Sequence, residues 1–262
     1  MKQRVISALI ALIICVPLIY VGKIPFYILA LVVAVLGYKE ILNLIIKNNI
    51  LVKIISYLAF VSIISLNIYK TNFNNILDIK ILGIIFLLFF IVSLINYKNK
   101  NFNISKCLIL ISYTLFLATA FSSFIIIRNI NLNYFIYLFI ITITTDTFAQ
   151  ITGKMFGKHK INEISPNKTW EGCIGGSFFG VIIASLFYLT VIDFQINIFL
   201  LIVITFFLTI IGQIGDLFFS QIKRHYKIKD FSNIMPGHGG ILDRLDSIIF
   251  VMLAFTFLIN LI

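Results

Sequence analysis

Residues 220–246 read SQIKRHYKIKDFSNIMPGHGGILDRLD and form the densest cluster of charged side chains in the sequence. Long apolar segments, at approximately 196–219 and 241–262, flank this stretch. A Gly-rich stretch of mixed charge between two apolar helices suits the binding of a metal ion and phosphate groups at a membrane surface. The chemistry of the chain is therefore predicted to centre here.

The composition indicates a membrane protein. The chain has 262 residues, a mean hydropathy of +1.07 and only 12% charged residues. A soluble domain cannot bury so much apolar surface, so we expect an all-α, polytopic integral membrane protein with about nine transmembrane helices. The second segment looks short enough to be tilted or re-entrant. The predicted segments are 5–22, 25–38, 50–69, 76–96, 107–127, 132–151, 172–192, 196–219 and 241–262.

The basic residues predict the orientation. If the N-terminus is cytoplasmic, 17 of the 21 Lys and Arg residues fall in the N-terminus and in the alternate loops on that same side. This bias is typical of cytoplasmic loops. The positive charges are scattered and form no continuous basic face, which argues against a nucleic-acid partner. The basic residues left on the outside are Lys23, Lys70, Lys80 and Arg128.

The acidic residues divide the chain. Of the ten Asp and Glu residues, only Glu40 and Asp78 precede Asp146. We therefore expect an apolar scaffold followed by a region that carries the polar chemistry. The predicted domains are a scaffold at 1–130 and a catalytic region at 131–262, with cytoplasmic loops at 152–171 and 220–240.

Four aspartates are candidate functional residues. Asp146 and Asp216 lie roughly 12 Å and 10 Å inside the cytoplasmic ends of their helices, where an unpaired charge is costly. Structural ion pairs or snorkelling acids are the alternative. Asp243 and Asp246 share a face in a first helical turn, where acids also complement the helix dipole. Oxygen ligands from Asp216, Asp243 and Asp246 would fit Mg²⁺ or Mn²⁺.

Basic side chains surround these acids. Three of them have two possible roles, anchoring the cytoplasmic face or binding phosphate: Lys223, Arg224 and Arg244. Phosphate is commonly bound by the forked guanidinium group of Arg and by the ammonium group of Lys near a metal. The loop GKMFGKHKINEISPNKTWEGCIGG offers Lys168 and Thr169 for phosphate or hydroxyl contacts. No pairing typical of covalent catalysis stands out.

Two motifs in this half resemble those of bacterial phosphatidate cytidylyltransferases, also called CDP-diacylglycerol synthases. The first is Ser220-x-Ile222-Lys223-Arg224, then Lys229-Asp230, then Met235-Pro236-x-His238-Gly239-Gly240-Ile241-x-Asp243-Arg244-Leu245-Asp246. The second is Ser165-Pro166-Asn167-Lys168-Thr169-Trp170-Glu171-Gly172, in which the family often has Lys where this chain has Asn167. The motifs span residues 146–246, and the N-terminal half resembles the family only as apolar scaffold.

The resemblance implies transfer of CMP from CTP to phosphatidic acid in the cytoplasmic (inner) membrane, with Mg²⁺ and an active site facing the cytoplasm. It also implies a homodimer and a monovalent cation such as K⁺ beside the Mg²⁺. The expected catalytic residues are Asp216, Lys223, Arg224, Asp243, Arg244 and Asp246. The expected substrate-binding residues are Asp146, Lys168, Thr169, Glu171, His238, Gly239 and Gly240.

Two other functions compete with this interpretation. A CTP-dependent polyprenol or phytol kinase is a related membrane transferase, but its lipid alcohol needs a base. An ion-coupled transporter also uses intramembrane acids, but it should show paired repeats with charges in both halves. The full His238-Gly239-Gly240 to Asp246 motif favours the cytidylyltransferase.

Overall fold

The computed structural model describes residues 2–46, 49–68, 70, 79–96, 102–235, 237 and 239–259. Within these residues the chain forms α-helices and no extended strand, which confirms the all-α prediction. The helices are α1 (Lys2–Val21), α2 (Lys23–Ile45), α3 (Ile50–Ser65), α4 (Ile79–Ile95), α5 (Ile104–Ile130), α6 (Leu132–Phe156), α7 (Trp170–Val191), α8 (Ile198–His225) and α9 (Leu242–Leu258).

Five of these helices, α2, α5, α6, α7 and α8, are long and apolar enough to cross a membrane. The chain is therefore a multi-pass membrane protein, whereas the exact number of spans and the orientation of the N-terminus stay predictions. The expectation of a short second segment is wrong, because α2 extends over 23 residues. It continues through Lys39 and Glu40, which had been assigned to a loop.

Both predicted cytoplasmic loops are shorter than expected. Helix α6 continues to Phe156 and α8 continues to His225, so Lys223 and Arg224 are helical. Basic side chains in a last turn complement the negative end of the helix dipole, which favours this extension. The phosphate-binding candidates of α8 are thus held on a regular helix.

The chain forms two compact units. One comprises residues 1–129 together with 231–242, and the other comprises 130–230 together with 243–262. In the first unit Tyr38 stacks on Phe60 with ring centroids 4.2 Å apart, and its hydroxyl lies 2.6 Å from that of Thr114. A buried hydroxyl needs such a partner, so this pair fixes α2 against α5.

Small residues bring α6 and α7 into backbone contact in the second unit. A Cβ atom on Gly172 would lie 2.8 Å from the carbonyl oxygen of Ala149, and one on Gly176 would lie 2.6 Å from that of Thr145. Small residues allow this close approach between membrane helices. The contact positions α6, which carries Asp146, beside the start of α7.

We expect Gly176→Ala to lower the melting temperature in detergent, because the added methyl group has no room. Such overpacking typically costs about 1–3 kcal/mol. Gly83→Ala is the matched control, since nothing lies within 4 Å of a Cβ at that helical position. It should gain up to roughly 1 kcal/mol from better helix propensity. Equal melting temperatures for the two variants would contradict the close α6–α7 contact.

Candidate active site

A polar cavity of about 420 Å³ lies within the second unit. Helices α6, α7, α8 and α9 and the loop between α6 and α7 all contribute side chains to it. Four of the sequence-predicted acids and two of the predicted loop residues line it. Its wall comprises Asp146, Ala149, Gln150, Ser165, Asn167, Lys168, Thr169, Gly172, Cys173, Gln213, Asp216, Asp243 and Asp246.

Lys168 reaches across this cavity from the loop to α8. Its Nζ lies 2.5 Å from Oδ2 of Asp216, and both side chains are about a quarter exposed. The hydroxyl of Ser220, one helical turn after Asp216, donates to the other carboxylate oxygen at 3.4 Å. Asp216 is therefore neutralised by a cation from a different segment, while its partner Lys168 stays accessible from the cavity.

A second ion pair joins α8 to α9. Nζ of Lys223 donates to Oδ1 of Asp243 at 2.8 Å, with side chains only 13% and 4% exposed. Removing one partner of such a buried pair leaves an uncompensated charge and is strongly destabilising. Lys223 therefore contacts the cavity indirectly, through Asp243, which lines the cavity wall.

Asp146 and Asp246 complete the acidic wall, and each interacts electrostatically with Asp216. Ser247 serves both: its hydroxyl donates to Asp146 at 3.4 Å, and its backbone N–H donates to Asp246 at 2.8 Å. A Cβ atom on Gly215 would lie 2.8 Å from the carbonyl oxygen of Asp246, so α8 and α9 are in close contact at this level.

The loop that carries Lys168 is built by backbone pairing. The N–H of Ile161 donates to the Lys168 carbonyl at 3.1 Å, and that of Trp170 donates to the His159 carbonyl at 2.9 Å. The hydroxyl of Thr169 accepts from the Gly172 N–H at 3.1 Å and caps α7. Thr169 is therefore a structural cap that also lines the cavity.

Other predicted residues lie away from the cavity wall. Glu171 pairs with His159, whose Nδ1 lies 2.6 Å from Oε1. Nε of Arg224 donates to the Ile164 carbonyl at 3.3 Å, which ties α8 to the loop. Arg244 is exposed at the start of α9.

The Gly-rich part of the motif belongs to the first unit. Gly239 has a φ of +87° and exchanges two backbone hydrogen bonds with Met235, of 3.0 and 3.2 Å. This left-handed conformation favours glycine. The predicted phosphate contact His238 lies outside the described residues, so its role stays a prediction.

A larger apolar cavity of about 810 Å³ adjoins the polar one. Cys173 and Gln213 line both. The amide nitrogen of Gln213 donates to the Cys173 carbonyl at 3.2 Å and to the Ser177 hydroxyl at 2.8 Å. From this junction the apolar wall follows α7 from Trp170 to Ile182, a distance of about 18 Å.

Comparison with known proteins identifies the family. The sequence profile of the cytidylyltransferase family matches residues 2–262. The chain belongs to the cytidylyltransferase family. Phosphatidate cytidylyltransferases of Staphylococcus haemolyticus (strain JCSC1435) and Staphylococcus aureus (strain COL) are each 36% identical to it, over 256 and 258 residues. The alignments cover 96% of this chain and 96% of each relative.

This match confirms the family resemblance found in the sequence. It also extends beyond the motifs, because it covers the apolar N-terminal half. Helices α1 to α5 are therefore part of what this cytidylyltransferase shares with its relatives. The match supports neither a transporter nor a kinase.

The cytidylyltransferase's polar cavity has the donor chemistry of a divalent cation site. Four carboxylates line it and outnumber the two lysines beside them, Lys168 in the cavity wall and Lys223 on Asp243. Among the described residues, no three Asp, Glu, His or Cys side chains are arranged to hold an ion as they stand. Two of the predicted ligands, Asp216 and Asp243, hold lysines instead, and the metal assignment stays a prediction.

The sequence analysis missed Glu40 of α2. This glutamate is only 3% exposed. Oε1 accepts from the Ser232 hydroxyl at 2.6 Å and from the Ile241 N–H at 2.8 Å, and Oε2 accepts from the Leu242 N–H at 2.9 Å. The sequence signal for it was weak: Glu40 is one of only two acids that precede Asp146.

Proposed function

We propose that this member of the family is a phosphatidate cytidylyltransferase, which converts CTP and phosphatidate to CDP-diacylglycerol and pyrophosphate. One observation carries the proposal: a charged cavity and an apolar cavity adjoin at Cys173 and Gln213. The first would suit phosphates bound through a divalent cation and the lysines, and the second suits lipid chains. A substrate that is anionic at one end and aliphatic at the other fits this pair.

The reaction needs positioning and charge neutralisation. A phosphate oxygen of phosphatidate attacks the α-phosphorus of CTP, and the bond from that phosphorus to the bridging oxygen of pyrophosphate breaks. Such transfers gain most from fixed positive groups that face the developing charge. Lys168 faces the cavity on the loop side and Lys223 reaches it from α8. We assign them to the CTP phosphates and the leaving pyrophosphate, with Arg224, Arg244 and His238 as further phosphate contacts.

The carboxylates are assigned to Mg²⁺, with Mn²⁺ as a substitute. Asp216, Asp243 and Asp246 would hold the ion, directly or through water, and Asp146 would support them. When bound, Mg²⁺ supplies neutralisation of the CTP phosphates. A monovalent cation such as K⁺ beside it is a further expectation from the family. The lysines that now pair with Asp216 and Asp243 would turn to phosphate.

No general base is required of this chain. A phosphate monoester is already ionised at pH 7, so the nucleophile needs no deprotonation. A prenol kinase would need a base beside its alcohol. None of the acids that line the cavity then has to act as a base, and all of them can serve cation binding, which is why the cytidylyltransferase reaction suits the cavity better than the kinase reaction.

We place the enzyme in the cytoplasmic (inner) membrane, with a cytoplasmic N-terminus, a cytoplasmic active site and a homodimeric state. The excess of Lys and Arg in the loops on the N-terminal side supports the orientation. In a Cys-free background, single cysteines at positions 158 and 227 should react only with reagents on the cytoplasmic side. A cysteine at position 193 should react only from outside. Labelling of position 227 from outside in intact cells would reverse the orientation.

The apolar cavity predicts sensitivity to acyl-chain length. Its 18 Å length along α7 compares with about 15 Å for one leaflet of the hydrocarbon core. Ile210→Trp would fill part of it, because Ile210 lines the wall and is 37% exposed. We expect kcat/KM for dioleoyl phosphatidate to fall about tenfold, whereas that for dioctanoyl phosphatidate changes little, since one or two displaced methylenes are worth 1–3 kcal/mol.

Val203→Trp is the matched control, because Val203 lies on the same helix, is 46% exposed and does not line the cavity. Product is measured with purified enzyme, labelled CTP and Mg²⁺. Wild-type enzyme that forms no CDP-diacylglycerol from either lipid would refute the proposed function. Equal losses for both chain lengths in Ile210→Trp would refute only the acyl-chain assignment.

A further inference from the structure

Glu40 connects the scaffold half of the chain to the end of the catalytic motif. All three of its described hydrogen-bond donors come from residues 232–242, about 200 positions later in the sequence. Two of them are the backbone N–H groups of Ile241 and Leu242, at the point where α9 begins. Glu40 therefore pairs two backbone N–H groups at the start of α9 that the helix itself cannot pair.

The surroundings of Glu40 are shaped to keep this contact. A Cβ atom on Gly240 would lie 2.5 Å from Oε1 of Glu40. The φ of Gly240 lies outside the left-handed range, so the carboxylate, rather than the backbone conformation, requires glycine there. One turn earlier on α2, a Cβ atom on Gly37 would lie 3.2 Å from the fully buried side chain of Leu242.

Burying the Glu40 side chain has a free-energy cost. A carboxyl group at 3% exposure loses its hydration, and hydrogen bonds from one hydroxyl and two amides offset that loss. What these bonds fix is the first turn of α9. Asp243 is the next residue along the chain, and Asp246 follows one helical turn from Leu242.

We propose that Glu40 is a positioning residue: it clamps the 231–242 segment and so sets the register of Asp243 and Asp246 for catalysis. The proposal rests on the proposed function of those two acids. It also explains why the second glycine of the motif, Gly240, is a glycine: a side chain there would occupy the space of the Glu40 carboxylate. Glu40 contacts no substrate in this role.

Loss of the clamp should lower kcat more than it affects substrate binding. Glu40→Ala removes all three hydrogen bonds, and misplacement of catalytic groups by about 1 Å can reduce kcat about 100-fold. Glu40→Gln keeps one acceptor oxygen and should lose about tenfold. KM for phosphatidate should stay within about twofold, because the apolar cavity is lined by α7, α8 and Ile161. Glu163→Gln, an exposed acid, is the matched control.

A double-mutant cycle separates positioning from general stability. Gly240→Ala should reduce kcat strongly in the wild-type background, because the new methyl group displaces the carboxylate. In the Glu40→Ala background the same change should cost little, since the obstructing carboxylate is gone. Equal effects of Gly240→Ala in both backgrounds would refute the clamp. So would wild-type kcat in folded Glu40→Ala.

Hydrogen exchange supplies a readout that does not depend on activity. The amides of Ile241 and Leu242 should exchange faster in Glu40→Gln than in wild type, whereas Glu163→Gln should match wild type. If Glu40→Ala does not fold, Glu40→Gln and Gly240→Ala decide the outcome, and unchanged kcat in both overturns the proposal. If the wild-type enzyme failed to synthesise CDP-diacylglycerol, the proposed function would be refuted. The hydrogen-exchange result would still test whether Glu40 holds the 231–242 segment.

Discussion

Asp246→Asn is expected to reduce turnover about 1,000-fold, because under the proposed function it removes a charged ligand of Mg²⁺ and with it several kcal/mol of charge stabilisation. Asn keeps the volume of the side chain and an oxygen that can accept from the Ser247 N–H. Asp246 lies in an acidic wall and interacts electrostatically with Asp216 and Asp146. Removing one of these like charges relieves repulsion, so the melting temperature should stay the same or rise.

The measurement is turnover against Mg²⁺ and Mn²⁺ concentration, together with melting temperature. Asp216→Asn and Asp243→Asn should also lose most activity, and a double variant should lose little more than a single one. These two variants should also be less stable, because each breaks a lysine–aspartate ion pair. Asp230→Asn, an exposed acid of the same stretch, is the control. Near-wild-type turnover of Asp246→Asn would show that Asp246 is not a ligand of the metal.

Lys168→Met is expected to lower kcat/KM for CTP by about 100- to 1,000-fold, the usual loss when one fixed donor to a developing charge is removed. Lys168 is the basic side chain that the loop between α6 and α7 contributes to the cavity wall. Its removal also leaves Asp216 without its 2.5 Å partner. An unpaired charge at membrane depth costs several kcal/mol, so the melting temperature should fall.

The double variant Lys168→Met/Asp216→Asn distinguishes the two roles of this lysine. It should recover the melting temperature, since no charge is left unpaired, and it should remain inactive. Lys154→Met, an exposed lysine in the last turn of α6, is the control and should keep wild-type kcat/KM. If the double variant recovered activity along with stability, Lys168 would be a structural counterion only.

Hydropathy alone was enough to predict the fold class, because about nine apolar segments leave little alternative to membrane helices. It failed at α2, where Lys39 and Glu40 resembled the end of a segment. The carboxylate of Glu40 is buried by donors some 200 residues away, and no local pattern encodes that. The unexpectedly long α8 has a local cause in the basic residues of its last turn.

The grouping of Asp146, Lys168, Asp216, Asp243 and Asp246 at one cavity was predictable from their motifs and from their common level near the helix ends. Their pairing was not predictable. Which lysine neutralises Asp216 depends on the path of the loop, which is set by backbone bonds between residues 159–161 and 168–170. The junction residue Gln213 gave no signal either, because a single amide in an apolar helix matches no motif.

Under the proposed function, the adjoining apolar cavity determines which concentration of the lipid substrate controls the rate. A lipid whose chains stay in the bilayer until they enter this cavity reaches the enzyme by diffusion in two dimensions. Its effective concentration is its mole fraction in the surrounding leaflet, not its amount per litre. Adding inert phospholipid at constant total phosphatidate therefore slows turnover, while the dependence on CTP, which arrives through water, stays the same. The enzyme then responds to the phosphatidate content of the membrane that contains it.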